Sequence, residues 1–381
     1  MKIIITCYPT YGGSGVVATE LGKALAMRGH EIHFISYALP MRLQGFVSNI
    51  YYHEVESFTY PLFDNPMYTL TLTSKIVEVV KMNDIDLVHA HYAIPHAVSA
   101  FLSKDILRNE KKFKKDLKII TTLHGTDITL IGLEPSFLPL MKYSIEQSDG
   151  VTAVSNFLKE KTITSYQVEK NIEVIPNFID LNKFKRISDK ENSCFKRKYA
   201  PDGEKILMHT SNFRPLKRVQ DVVKIFSEVY KKVPSKLLLI GDGPERSDTE
   251  RLVREMELTE KVIFMGKQDA LVELLSIADL FIMPSQSESF GLSALEAMSC
   301  GVPVISSSIG GLPELNVHGE SGYIAEIGDV ERMAKYAIDL LSNEKKYQLF
   351  AKHARERAEE FSEDRIVPKY EAYYEKIINE K

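Results

Sequence analysis

The chain has 381 residues, of which 44% are hydrophobic and 26% are charged, a balance typical of a globular protein. This length exceeds what one ordinary core covers and predicts about two domains. The 48 basic and 52 acidic residues give a net charge of −4, which argues against a nucleic-acid-binding surface. Three scattered cysteines indicate neither a disulfide framework nor a zinc site.

The chain starts with a short apolar run, Lys2–Thr6, which predicts a strand and is too short for a signal sequence. No stretch approaches the roughly 20 apolar residues that a membrane span needs. We therefore expect a cytoplasmic protein without stable membrane insertion.

Short aliphatic runs alternate with helical patterns in the first half, as in a parallel sheet covered by helices. The predicted strands are Lys2–Thr6, Glu31–Ser36, Leu87–Ala90, Ile119–Leu123 and Val151–Val154. The predicted helices are Gly15–Arg28, Leu72–Lys81 and Ala97–Arg108. The lysine-rich segment Asn109–Lys118 is typical of a solvated surface loop.

The pattern breaks around Val174–Phe178, and the polar segment Asp180–Gly203, with only short helical pieces, is predicted to connect two domains. The strands predicted after it are Ile206–His209, Leu237–Ile240, Val262–Phe264, Leu280–Met283 and Val304–Ser306. The helices predicted there are Val219–Lys232, Asp248–Glu257, Ala270–Ile277, Ser293–Ser299, Val330–Leu341, Glu344–Glu360 and Ile366–Asn379. We expect an α/β protein whose two Rossmann-like domains, residues 1–175 and 176–361, face each other across a cleft. The last helix, about residues 362–381, is expected to pack back on the first domain.

A glycine-rich loop follows the first predicted strand. Its segment Gly13-x-Gly15-x-x-Ala18 matches a dinucleotide fingerprint. The glycines come about six residues after the strand, and Phe34–Tyr37 lacks the acidic residue that binds a ribose, so a nicotinamide site is disfavoured. The loop is predicted to touch a phosphate or substrate; a plain tight turn is the alternative.

Histidines follow two other predicted strands. His124 and Gly125 place an imidazole beside a bare backbone at a strand end, which favours a functional role over a structural histidine. His89 and His91 share one face of a strand, but no third ligand follows in a clear pattern, so no metal site is predicted. Tyr92 is a more plausible pocket-lining group.

Arg214 and Lys217 lie one helical turn apart, directly after the first strand of the second half. They could present two cations to a diphosphate, one as a planar fork and one as a point charge. Because cations are unfavourable at a helix N-terminus, an anion would explain their position. The alternative is a solvated basic helix start.

Two carboxylates, Glu288 and Glu296, bracket a glycine-containing turn after the predicted strand Leu280–Met283. In an open α/β sheet ligands bind at such a strand end, and the amides of a helix start suit a phosphate. If all eight steps were helical, the two carboxylates would lie ~12 Å apart along the axis. A retaining hydrolytic pair needs ~5–5.5 Å, so we expect contacts to two ends of an extended ligand. Surface acids are the alternative.

Taken together, these features resemble the retaining glycosyltransferases of family 4, which have the two-domain GT-B fold. The resemblance covers essentially the full chain and rests on Glu288-x7-Glu296, Val174–Asn177, Arg214 with Lys217, and Ala297–Val304. Three further segments resemble members of the family that glycosylate L-malate in the first step of bacillithiol synthesis: Thr6–Gly15, His89–Ala97 and Thr121–Thr129. Asn212 departs from the family pattern, because relatives often carry a phosphate-binding Arg there.

The resemblance implies UDP-N-acetylglucosamine as donor, L-malate as acceptor, and no cofactor or obligatory metal. Glu296 would hold the ribose, Glu288 the donor sugar, Met265 the uracil, and His124 the sugar near its reacting carbon. The diphosphate would meet Arg214, Lys217, Gly13 and the amides of Phe290, Gly291 and Leu292. Candidates for holding malate are Ser14, Tyr92, Thr122 and Arg42. A lipid or polysaccharide acceptor, a non-catalytic sensor and a homo-oligomer stay open.

Overall fold

The computed structural model describes residues 1–10, 12–56, 67–111, 113–129 and 134–380. Within it the chain divides into two compact units, Met1–Phe178 with Asp364–Lys381 and Ile179–Glu363. Tyr11 of the glycine-rich loop and Lys112 of the predicted surface loop lie outside the described residues. Each unit is built on one parallel sheet, so the predicted α/β class with two Rossmann-like domains is confirmed.

The sheet of the first unit has seven parallel strands in the order β3-β2-β1-β4-β5-β6-β7. They are β1 Lys2–Thr6, β2 Glu31–Ser36, β3 Ile50–Glu54, β4 Leu87–His91, β5 Lys118–Leu123, β6 Gly150–Ala153 and β7 Ile172–Val174. The strand order reverses between β1 and β4. The loops that follow these two strands therefore open a crevice at the carboxyl edge, the usual place for a ligand in such a sheet.

Helices cover both faces of this sheet. They are α1 Gly13–Met27, α2 Tyr68–Asn83, α3 Val98–Arg108, α4 Thr126–Thr129, α5 Leu138–Gln147, α6 Asn156–Tyr166 and, from the end of the chain, α15 Glu363–Asn379. Leu21 and Leu25 of α1 share one core with Tyr370 and Tyr374 of α15. On the other face, α2 and α3 pack through residues such as Ile76 in a second core.

The sheet of the second unit has six parallel strands in the order β10-β9-β8-β11-β12-β13. They are β8 Lys205–Thr210, β9 Ser235–Ile240, β10 Val262–Gly266, β11 Leu280–Met283, β12 Val304–Ser307 and β13 Gly322–Ala325. Here the order reverses between β8 and β11, which places a second crevice at the ends of those strands.

The second unit has one large apolar core to which β9, α8 and α13 contribute Leu237, Phe226 and Leu340. The helices of this unit are α7 Asp189–Tyr199, α8 Val219–Tyr230, α9 Arg246–Glu255, α10 Leu271–Ile277, α11 Leu292–Ser299, α12 Leu312–Leu315, α13 Val330–Ser342 and α14 Glu344–Glu359. A short 3₁₀ turn, Pro215–Lys217, precedes α8.

The structure corrects the predicted elements mainly at the sheet edges and on the surface. The strands β3, β7 and β13 were not predicted, because each is a short edge strand without a long buried apolar run. The segment predicted to be irregular contains α7, whose capping residue Ser188 exchanges hydrogen bonds with Glu191. That Ser-x-x-Glu pattern is a helix-start signal that outweighs the polarity of the segment. In the described part of the chain, no helix is long and apolar enough to cross a bilayer.

Candidate functional site

The loops after β8, β9 and β10 are joined to one another by backbone hydrogen bonds at the carboxyl edge of the second sheet. The Ser211 amide donates to the Ile240 carbonyl at 3.1 Å, and the Gly241 amide donates to the Gly266 carbonyl at 2.8 Å. A Cβ on Gly241 would lie 1.8 Å from the Ser211 carbonyl oxygen, and one on Gly243 would lie 2.1 Å from that of Asn212. These glycines are therefore needed for close backbone packing beside the crevice.

Lys217 and Glu288 meet at the reversal point of the second sheet. Lys217 Nζ donates to Glu288 Oε2 at 2.5 Å, and the two side chains are 18% and 16% exposed. The Gln286 amide donates to the Leu216 carbonyl at 2.7 Å and ties the turn after β11 to the 3₁₀ turn. The structure thus brings together a cation and a carboxylate whose roles were predicted separately.

Arg214 stands at the start of the same 3₁₀ turn, and its side chain is exposed. Among the described residues it has neither a hydrogen bond nor an ion pair from its guanidinium, whereas the neighbouring Arg218 is held by Asp221 at 2.6 Å. A cation left available beside Lys217 fits the predicted diphosphate contact, which stays a prediction.

The turn between Glu288 and α11 is shaped by glycines. Gly291 has φ of +100° directly before the helix, and a Cβ there would lie 2.6 Å from the Leu312 side chain. Gly310, with φ of +64°, packs so closely that a Cβ would lie 1.7 Å from the Glu288 carbonyl oxygen. The first amides of α11, from Leu292 onward, have no intrahelical acceptors and lie at the positive end of the helix. The turn can therefore offer backbone donors to an anion.

The remaining donor-side candidates differ in exposure. Glu296 lies on α11 and is only 5% exposed, so only half of the path from Glu288 is helical and the all-helical spacing does not apply. The Phe290 ring is buried against Phe361 at a centroid distance of 5.5 Å, which leaves its backbone as the part that could reach a ligand. Met265 is partly exposed at the end of β10.

In the first unit, the helix α1 begins at the crevice. Gly13 and Ser14 are its first two residues, after Gly12 as N-cap, and no side chain caps them. A Cβ on Gly15 would lie 2.3 Å from the Tyr8 carbonyl oxygen. The glycine-rich loop therefore lets the helix start pass close to the loop after β1, with its first amides open to an anion.

His91 and His124 stand together at the ends of the adjacent strands β4 and β5. His91 Nδ1 lies 2.8 Å from His124 Nε2, and the ring planes are 24° apart. His124 is partly exposed, whereas His91 is fully buried. Tyr92 packs its ring against His124 at 5.6 Å and against Tyr8 at 5.4 Å.

The histidines of this crevice are neutral at physiological pH. Burial lowers the pKa of His89, of His96 and of His124 to about 3 each. Burial also holds the pKa of His91 well below its usual value. An imidazole that stays neutral can still donate one hydrogen bond and accept another, but it brings no positive charge to an anion.

Thr122 lies in the interior rather than at the rim. It is fully buried, and its hydroxyl oxygen is 2.7 Å from His89 Nε2 and 2.6 Å from the Thr152 hydroxyl. The other nitrogen of His89 is 2.7 Å from the Tyr374 hydroxyl of α15. This buried network joins the last helix to the sheet, and in it Thr122 supports the strand that carries His124.

Asp127 organises the crevice of the first unit, although the sequence analysis assigned it no role. Its buried carboxylate accepts hydrogen bonds from the amides of Gly125 at 2.8 Å, His124 at 3.3 Å and Ala93 at 3.3 Å. Burial raises its pKa to about 6, against the lowering effect of these amides. The sequence feature that could have indicated this role is the position of Asp127 directly after the His124–Gly125 turn, where a carboxylate can accept hydrogen bonds from the amides at a helix start.

Arg42, the predicted cation for malate, lies in the loop after β2. Its guanidinium is 4.0 Å from Glu20 Oε1 of α1, and its side chain is 26% exposed. The structure therefore places this cation beside α1, with an acidic partner. Among the described residues there is no group of three or more His, Cys, Asp and Glu that could hold a metal ion.

Two family descriptions match the chain. "Glycosyltransferase Family 4" matches residues 11–183, and "Glycosyl transferases group 1" matches residues 191–357. N-acetyl-alpha-D-glucosaminyl L-malate synthase of Bacillus anthracis is 47% identical over 100% of this chain and 98% of its own length. A GDP-mannose-dependent phosphatidylinositol monomannoside mannosyltransferase of Corynebacterium glutamicum is 27% identical over 72% of each chain.

Solved structures share the fold. Anabaena HepE in complex with UDP-glucose superposes with a TM-score of 0.83 at 19% identity, over 99% of this chain and 100% of that one. A glycosyltransferase from Rickettsia africae gives a TM-score of 0.81 at 22% identity, over 100% and 99% of the two chains.

Proposed function

Because this chain belongs to the family of glycosyltransferases that includes N-acetyl-alpha-D-glucosaminyl L-malate synthase, as predicted from its motifs, we propose that it catalyses the same reaction. It transfers N-acetylglucosamine from UDP-N-acetylglucosamine to the hydroxyl of L-malate with retention of configuration. In this proposal the second unit binds the nucleotide sugar and the first unit binds malate. The product is the α-linked glycoside that begins bacillithiol synthesis.

The observation that carries the donor side is the convergence of Lys217, Glu288 and the start of α11 at one reversal point. The cation and the open amides face an anion, while the carboxylate can accept hydrogen bonds from sugar hydroxyls. Lys217, joined by Arg214, stabilises the negative charge that grows on the diphosphate as the bond from the sugar carbon to the phosphate oxygen breaks. Glu296 holds the ribose hydroxyls from the helix that follows.

On the acceptor side, the open amides at Gly13 and Ser14 would meet one carboxylate of malate, and the guanidinium of Arg42, which also faces Glu20, would meet the other. Tyr92 forms an aromatic wall beside His124. Because burial lowers the pKa of His124 to about 3, its imidazole is a poor base for the malate hydroxyl. The hydroxyl proton therefore passes to the departing phosphate as the new carbon–oxygen bond forms.

The decisive experiment measures UDP release from UDP-N-acetylglucosamine by the purified protein, with and without L-malate. We expect release that depends on malate, together with a product of the mass of the glycoside. D-malate and succinate serve as controls, since succinate keeps both carboxylates and lacks the hydroxyl that attacks. Release that is equal with succinate would contradict malate as the acceptor.

The ribose contact has its own test, which is UDP binding measured by calorimetry. Glu296→Gln removes a charged acceptor of hydrogen bonds, and we expect UDP to bind about 10- to 100-fold more weakly. Glu331→Gln, an exposed change on α13, is the matched control and leaves the affinity within about twofold. An unchanged affinity in Glu296→Gln would remove Glu296 from the ribose site.

The alternative acceptor is a lipid or polysaccharide at a membrane. The lysine-rich segment was the only sequence feature that favoured it, and two of its lysines are already paired. Lys115 contacts Asp84 and Asp86 at 3.0 and 2.8 Å, and Lys118 contacts Asp116 at 3.0 Å. The pairing of these two lysines reduces the positive charge that the segment can offer to an anionic surface, which favours malate.

A further inference from the structure

We infer that His91 is a positioning residue that sets the tautomer and the orientation of His124, so that His124 presents Nδ1–H as a hydrogen-bond donor at the crevice. The contact of His91 Nδ1 with His124 Nε2 at 2.8 Å carries this inference. Its consequence for the reaction rests on the proposed function and on the contact of His124 with the donor sugar that the family resemblance implies. The tautomer itself does not depend on that function.

The two rings share a single proton along their contact. Both are neutral, because burial lowers the pKa of His124 to about 3 and holds that of His91 well below its usual value. One nitrogen of the pair therefore donates and the other accepts. Two arrangements are possible, and they place opposite chemistry on the partly exposed side of His124.

The buried far side of His91 decides between them. His91 Nε2 is buried and has no hydrogen-bond partner among the described residues. If His124 donated through Nε2, His91 Nε2 would carry a hydrogen with no acceptor, and orphaned buried N–H groups are rare in proteins. If His91 donates through Nδ1, only an unshared electron pair is left buried, which is less costly. The second arrangement is favoured.

In that arrangement the ring proton of His124 is on Nδ1. In the described part of the chain, no residue forms a hydrogen bond with Nδ1, and this nitrogen is not a buried atom without a partner. It can therefore donate to a ligand. His124 then offers a neutral donor in a fixed direction, held by His91 on one side and by the Tyr92 ring on the other. Such a group recognises an oxygen that accepts a hydrogen bond, such as a hydroxyl oxygen of a sugar. It cannot act there as a base.

The strand register explains why the pair forms. β4 and β5 are adjacent and parallel, with His91 opposite Thr122, so His124 follows two residues beyond that point. Asp127 then accepts hydrogen bonds from the amides of His124 and Gly125 and holds the turn. The backbone places the His124 ring over the end of β4, where His91 is the last residue.

The tautomer is measured directly by long-range ¹H–¹⁵N correlation spectra of the ¹⁵N-labelled protein at neutral pH, without ligand. The His124 signals are those lost in His124→Ala. We expect a protonated Nδ1 and an unprotonated Nε2 for His124. A protonated Nε2 on His124 would overturn the inference, whatever the activity of the protein.

A double-mutant cycle measures the coupling of the two residues in the malate-dependent assay. His91→Leu should lower kcat about tenfold, the value of one lost hydrogen bond, with a smaller change in KM. In the His124→Ala background the same change should have little further effect. His91→Asn, whose side-chain amide can replace Nδ1–H, should recover most of the lost rate. A loss of the same size in both backgrounds would mean a merely structural role and would overturn the inference.

His33→Leu is the matched control, since His33 is another buried histidine of the same sheet and lies on β2. We expect it to lower thermal stability without lowering kcat in the folded protein. If His91→Leu fails to fold, the spectrum of the unmodified protein still decides the tautomer. If malate-dependent activity is absent altogether, the proposed function fails while the tautomer assignment stands or falls separately.

Discussion

The two sheets reverse their strand order in the same way, but the side chains at one crevice are charged and those at the other are neutral. In the second unit, Lys217 and Glu288 form an ion pair at the reversal point, and Arg214 stands exposed beside it. In the first unit, His91 ends β4 at the reversal point and His124 follows the next strand, β5, and burial keeps both histidines neutral. Each sheet therefore places a different kind of ligand chemistry at its carboxyl edge.

This difference teaches how one architecture serves two substrates. A nucleoside diphosphate brings negative charge that grows during the reaction, and preorganised cations and helix amides act on it strongly. An attacking hydroxyl beside the sugar needs placement and the exclusion of water rather than a strong charge. In the proposed function, a neutral donor such as His124 holds a sugar hydroxyl through one hydrogen bond and carries no charge that would attract the acceptor's carboxylates.

The largest expected effect is the acid sensitivity of the first unit. An unfolded histidine binds a proton below its ordinary pKa of about 6.5. In the folded protein, burial lowers the pKa of His89, His96 and His124 to about 3 and holds that of His91 well below its usual value. Stability is therefore lost as the pH falls below about 6.5. Asp127, whose pKa is raised to about 6, gains a proton in the folded protein as the pH falls. Its contribution cancels the stability loss from about one of the four histidines. The net effect is about 4 kcal/mol lost per pH unit below pH 6.

The second unit has one such group, His209, whose pKa burial lowers to about 4. Its expected loss is about 1 kcal/mol per pH unit. Amide hydrogen exchange between pH 7 and 4, corrected for intrinsic rates and resolved to peptides of each unit, measures the difference. We expect the first unit to lose protection at a higher pH, and equal loss in both units would show that the histidine cluster does not decide acid stability.

Removing the charge in the second unit should slow catalysis more than removing the neutral group in the first. Lys217→Ala is expected to lower kcat about 10²- to 10³-fold, as when a preorganised donor to a developing charge is lost. His124→Ala is expected to lower it about 10- to 100-fold. The exposed ion pair of Lys231 with Glu228 offers the control, because Lys231→Ala should leave kcat within about twofold. The reverse order of the two effects would break the comparison.

The smallest expected effect concerns the backbone that holds Glu288. Gly310→Ala adds a methyl group 1.7 Å from the Glu288 carbonyl oxygen and keeps a positive φ, so the turn must move. Gly319→Ala has a similar φ of +83° and no atom within 4 Å of the added methyl group. Gly319→Ala should lower the free energy of unfolding by about 1–2 kcal/mol through backbone strain alone. Gly310→Ala should lower it by at least about 2 kcal/mol more. Denaturant unfolding of the two variants measures this difference. Equal losses of stability would mean that the turn at Glu288 moves to fit the methyl group at little energetic cost.

Much of the fold was predictable because burial leaves a periodic trace in the chain. The buried runs of β1, β2 and β11 were predicted at the bounds that the structure shows. The edge strands β3 and β7 were not, since a strand that is covered on one side only carries a weak apolar pattern. The helix α7 was missed because its surface position leaves it almost wholly polar, although its capping residues were visible.

The sequence by itself determined the α/β class, the family and the candidate residues of both crevices, because glycines, cations and carboxylates stand directly after apolar runs. Only the tertiary structure decided which of them meet. Lys217 and Glu288 are 71 residues apart, and His91 and His124 are 33 residues apart. Such partners are joined by the order of strands in the sheet, which is set by packing across the whole unit rather than by any local pattern. The same packing buried Thr122, gave Asp127 its three amides, and removed the charge from every histidine around His124.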